Sequence, residues 1–151
     1  MKIALPVVLV LGACAGDETP NYDEQPVNCA EVTTDDELAI GLTKQGANGL
    51  LAVKFMNAEP ALPEIRIDNS WVIELEAGGV PVDGATMTVS PYQIIHDHPS
   101  AKTVVVEPLP ESGQYQLDKV YFTMPGLWNI TFDINSAAGN DVAVLQLCFP
   151  T

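Results

Sequence analysis

Positive charge is scarce in this chain: six Lys and Arg stand against twenty Asp and Glu, a formal balance of −14 over 151 residues. A surface of that sign repels phosphate, which argues against nucleic acid as a partner. Histidine is scarcer still, with two in the whole chain. Catalytic signatures are missing as well: there is no Gly-x-Ser-x-Gly elbow, no glycine-rich phosphate loop and no His-Glu-x-x-His helix. Ser90 and Ser100 lie near the histidines, but nothing in the sequence places a base or an oxyanion hole beside them, so the chain reads as acting by binding and not as an enzyme. Its clearest apolar stretch, Ile3 to Leu11, is too short to span a bilayer. What the chain has in quantity is turn chemistry, with 12 prolines and 11 glycines, beside a 47% apolar content. That combination suits one domain with a single core and many turns, and it argues against an all-helical fold.

The first residues have the form of a targeting segment. Met1-Lys2 supplies a positive charge, the apolar stretch follows, and Leu11-Gly12-Ala13-Cys14 matches a bacterial lipobox. Residues 1–13 are expected to be a lipoprotein signal peptide and Cys14 the lipidated residue. The alternative is an ordinary secretory signal in which Cys14 is incidental. Residues 14–28, which include "AGDETPNYDEQPV", are acidic and without periodicity, as a tether between membrane and domain would be. The expected location is the cell envelope, facing the periplasm, and Ala15 rather than aspartate after Cys14 favours the outer membrane. In that oxidising compartment Cys29 and Cys148 are expected to pair across the domain 29–151, the alternative being two free thiols.

Within that domain the spacing of apolar residues is two, the period of a half-buried strand. Trp71, Ile73 and Leu75 alternate with Glu74 and Glu76, Met87 and Val89 with Thr86, Thr88 and Ser90, and Trp128, Ile130, Phe132 and Ile134 with Asn129, Thr131, Asp133 and Asn135. Leu145, Leu147 and Phe149 form a last strand whose other face carries Cys148, which puts the expected bridge at a sheet margin. Thr34-Asp35-Asp36-Glu37 has the form of a helix capping box, but Gly41 and Gly46-Ala47-Asn48-Gly49 after it favour a hairpin. Turn-rich stretches separate the runs at 77–85, 109–114, 124–126 and 135–141. About seven short strands of this kind predict an all-β, immunoglobulin-like antiparallel sandwich.

"VKFMNAEPALPEIRIDNSWVIELEAGGVPVDGATMTVSP", then a histidine pair, then "GQYQLDKVYFTMPGLWNITFDI" resembles the YtkA-like domain, an immunoglobulin-like module of bacterial envelope proteins related in pattern to FixH-like proteins. The resemblance runs from about Leu50 to Phe149. Its most particular marks are Asn69-Ser70-Trp71, the histidines and Met124-Pro125-Gly126-Leu127-Trp128 in that order. Members typically carry Met-Pro-Asp-His-Gly-His-Gly where this chain has Gln93-Ile94-Ile95-His96-Asp97-His98-Pro99. The two histidines match, while Gln93 replaces the methionine, Ile95 the aspartate and Pro99 the last glycine. A metal role for that methionine therefore does not transfer.

His96 and His98, one residue apart, are the natural candidates for an ion site, because imidazole nitrogen suits copper, zinc and nickel, and copper(II) heads the affinity order. Asp97, Met124 if its turn lies alongside, or Met87 or Met56 if either faces outward, would supply a third donor; Met87 and Met56 read more simply as core filler. The other reading leaves both rings on an exposed loop, hydrogen-bonded to water and backbone, in a structural or interaction module that meets another envelope protein without an ion. Asp35, Asp36 and Glu37 fit no calcium loop and read as a solvated face. Trp71 and Trp128 fall on the apolar side of their strands and read as core.

Overall fold

The computed structural model describes residues 28–150, so the signal peptide, Cys14 and the tether up to residue 27 lie outside the described residues. The strands are β1 (Thr43–Gln45), β2 (Ala52–Glu59), β3 (Asp68–Ala77), β4 (Val80–Pro81), β5 (Thr86–Gln93), β6 (His98–Pro99), β7 (Val105–Pro108), β8 (Gln114–Tyr121), β9 (Gly126–Ser136) and β10 (Gly139–Phe149). They form two antiparallel sheets, one in the order β1-β2-β3-β8-β7 with β4 paired to β3, the other in the order β10-β9-β5-β6. The sandwich expected from the period-two runs is present, and the runs read from the sequence fall in β3, β5, β9 and β10, while β2, β7 and β8 complete seven longer strands. β1, β4 and β6, of two or three residues each, are additions. Among the described residues no helix is long and apolar enough to cross a membrane.

The alternation works because neighbouring strands are in register and successive side chains leave the sheet on opposite sides. Trp128, Ile130, Phe132 and Ile134 of β9 and Trp71, Ile73 and Leu75 of β3 all have 0% exposure. Between the sheets Phe55 meets Trp71 and Phe132 edge-on, with centroids 5.6 and 6.1 Å apart. Offset and edge contacts of this kind add to the area buried. Met87 packs against this core as expected. Met56 does not: it follows the inward Phe55 on the same face as Lys54 and sits half-buried at the bulge where the β2–β3 register shifts between Phe55 and Asn57.

A hairpin is present, but later than 34–49: β1 and β2 are joined by a turn at 46–51, and the stretch before β1 is neither helix nor strand. It is a strap. Asp36 donates its N–H to the Gln146 carbonyl and accepts the Gln146 N–H and the Lys44 ammonium on its carboxylate, while Leu38 buries its side chain in the core. Asp36 is therefore a fastening between the strap and β10, where the sequence suggested a solvated acid. Cys29 and Cys148 are bonded, with Cα atoms 5.6 Å apart, and β10 is the edge of its sheet, the margin expected for the bridge.

Candidate functional site

The histidine segment is the connection from β5 to β6 at one end of the sandwich. β5 pairs with β9 down to Gln93 opposite Trp128, and β6 folds back so that His98 lies opposite Gln93. The parity that buries Val89 also turns the Gln93 side chain inward, where it is 0% exposed. A buried carboxamide must find partners or cost the fold a desolvated polar group. Gln93 finds three: Oε1 accepts the N–H groups of Ile95 (2.7 Å) and His96 (3.0 Å), and Nε2 donates to the Pro125 carbonyl (3.3 Å). Ile94 adds a backbone bond to the Leu127 carbonyl. The histidine turn and the Met124-Pro125-Gly126 turn are thereby tied together.

Within the turn Asp97 takes a left-handed backbone conformation, φ 54°, which reverses the chain between the two histidines. Its carboxylate accepts the Tyr92 hydroxyl at 2.6 Å. That bond, helped by burial and by the carboxylate charge, holds the Tyr92 phenol above its ordinary pKa and so keeps the proton on it. The described residues contain no group of three or more His, Cys, Asp and Glu side chains that could hold a metal ion. The expectation that Asp97 joins the imidazoles as a third ligand is thus not met, because its oxygen is aimed at Tyr92.

The two imidazoles are neighbours and half-buried, with centroids 6.4 Å apart and planes tilted by 32°. With metal–nitrogen bonds of about 2.0 Å, two rings on one ion have centroids roughly 4.5 to 6 Å apart. A small side-chain rotation closes the difference, and among the described residues the His96 ring has no hydrogen bond to resist it. His98 is fixed more firmly. Its ring stands edge-on to Trp128 at 5.9 Å, and Nδ1 lies 2.9 Å from the Pro99 carbonyl. A carbonyl only accepts, so Nδ1 carries the hydrogen and the neutral ring keeps its lone pair on Nε2. The indole behind His98 also donates Nε1–H to the Met124 carbonyl at 3.1 Å. Trp128 is core, as expected, and it is also the wall that His98 and the Met124 turn share. Met124 itself is half-buried against the core.

Gln93 is the residue that reading the sequence undervalued, since opposite a family methionine it looks like a lost ligand. The signal was its parity: it follows Val89 and Pro91 on the inward face, where an amide has to be structural. Gln93→Ala is expected to strip two N–H groups of their acceptor, costing about 1 to 3 kcal/mol, and to speed amide exchange at Ile95 and His96. Unchanged protection there would refute the role.

A family model described as YtkA-like matches residues 51–133. No curated protein and no solved structure matches the chain.

Proposed function

The chain belongs to the YtkA-like family, and on that premise we propose that it is a lipid-anchored envelope protein, facing the periplasm, that binds a copper ion through His96 and His98 with Met124 as third donor. The observation that carries this is the adjacent pair of half-buried imidazoles, one held by a carbonyl and an indole so that Nε2 is free. Orientation of a ligating imidazole by a backbone acceptor on its other nitrogen is the usual outer-shell arrangement at metal sites. A thioether beside two imidazoles selects copper(I) over harder ions, and Gln93 anchors the two turns that would have to meet. The protein acts by binding, with Cys14 as its membrane attachment.

The full chain is expected to take up one copper per molecule, and His96→Ala/His98→Ala to abolish uptake; Met124→Leu should weaken copper(I) more than copper(II). Calorimetry that finds nothing tighter than about micromolar would remove the proposal. A second reading, an interaction module without an ion, is favoured by Tyr92, Ile94 and Ile95, whose 38%, 38% and 52% exposures leave apolar surface beside the rings. One stable envelope partner retained through chelation and through the double histidine variant would favour it.

A further inference from the structure

The sandwich has four sheet edges, and three are blunted. β10 is covered where Asp36 bonds Gln146 and Ala47 donates to the Val142 carbonyl. β1 is three residues long and carries Lys44, paired with Asp36. On β7, Leu109 donates to Gln114, so Val106 and Pro108 are the residues whose backbones face outward, and Pro108 has no N–H to offer. Short strands, lysine, proline and covering segments are the ordinary means of keeping an edge from pairing.

On β5 such devices are confined to one end, where Pro91 lies in the strand and the Pro99–Val104 segment with Lys102 flanks its free side from Val89 onward. Residues in an antiparallel strand alternate in which side their N–H and C=O point to. Ser100 donates to the Pro91 carbonyl across the β6 side, so Pro91, Val89 and Met87 present their backbones away from β9, whereas Thr86, Thr88 and Ser90 present theirs toward it. β6 occupies the free side of β5 only at Tyr92 and Gln93. Among the described residues the N–H and C=O of Met87 and Val89 have no partner on that side, and an open groove begins at Thr88 and Val89, between the strand and the segment that carries Pro99, Lys102 and Val104. From Gly84 to Ile95 there is no charged residue, in a chain of balance −14.

We infer that this edge pairs antiparallel with the same edge of a second copy of the chain. A two-fold axis through Thr88 sets Met87 opposite Val89 of the other copy and Val89 opposite its Met87, so the donors and acceptors of each copy satisfy those of the other. The neutral strand lets two strongly acidic molecules meet without opposing charges, and it has no carboxylate to select a cationic partner. Thr, Met and Val also suit a paired strand. So short an edge makes an interface of the weak class, visible at high protein concentration.

Sedimentation of the full chain in mild detergent is expected to show the average mass rising from one chain toward two across a concentration series. Thr88→Lys, which places two ammonium groups opposite each other on the exposed face, is expected to weaken that association several-fold at low salt. Independently of any variant, the amides of Met87 and Val89 should exchange more slowly as concentration rises, while those of Thr86, Thr88 and Ser90, already bonded to β9, stay unchanged. A mass that remains at one chain overturns the inference. So does a dimer in which Thr88→Lys associates like wild type and the Met87 and Val89 amides are insensitive to concentration.

Discussion

Asp141→Ala is expected to lower the stability of the domain by about 3 kcal/mol or more, since it removes a buried charged acceptor that four backbone donors share, one buried and three part-buried. Asp141 is 1% exposed, and its carboxylate accepts the N–H groups of Asn48 (2.8 Å), Leu50 (2.9 Å), Leu51 (3.0 Å) and Val142 (2.9 Å). The turn between β1 and β2 is thus wound around one side chain of β10, some ninety residues away in sequence. Gly46 closes over it, and a Cβ there would run into the carboxylate. Asp141→Asn should be nearly as damaging, because its amide would present hydrogens to N–H groups that need an acceptor.

The same group sets an acid limit. Burial pushes the Asp141 carboxyl upward, but the four N–H bonds outweigh it and leave the pKa below the ordinary 3.8. With the folded value below the unfolded one, the stabilisation is complete above the unfolded pKa and is lost as pH falls through the folded value. Urea unfolding at neutral pH and down an acid series should show the wild type losing stability below about pH 4, with a flatter acid limb for Asp141→Ala. A variant within about 0.5 kcal/mol of wild type at neutral pH would show that the clamp is dispensable.

Reduction of the Cys29–Cys148 bridge, or its replacement by two alanines, is expected to cost about 4 to 5 kcal/mol on the loop-entropy account. The cysteines are 119 residues apart, so the bridge closes nearly the whole domain into one loop. Its effect should also be local. Cys29 opens a short 3-10 turn capped by Asn28, and beyond it the strap is held to β10 by the Asp36–Gln146 pairing. Without the bridge the strap should fray first, with faster exchange at Asp36 and Gln146. Melting with and without reductant should differ by roughly 10 to 20 °C; equal melting curves would show that the bridge adds nothing.

The period-two alternation of β3, β5, β9 and β10 was legible because each strand carries its own inward face, a property of neighbours two residues apart. The candidate site was legible in part. His96 and His98 could be seen as a pair, and Met124 as a donor conditional on its turn lying alongside, which Gln93 now ties to theirs. That Asp97 turns to Tyr92 could not be seen, since it depends on the left-handed backbone of Asp97 and on where β5 ends. Asp36 and Asp141 look like any other acids in a very acidic chain. Their roles arise from partners about a hundred residues distant.

Local periodicity was sufficient for the sandwich and its inward-facing aromatics and aliphatics, because burial of alternate side chains is decided by short-range pattern and the sheet repeats it; the cysteine pairing followed from cysteine count and expected compartment, and the family from particular motifs. Parity alone turns Gln93 inward, but only the tertiary structure decided that Asp36 and Asp141 become structural. Asp36 and Asp141 are chosen by the unpaired backbone donors that face them when distant segments meet, because a buried N–H donates to whichever oxygen the fold brings within about 3 Å.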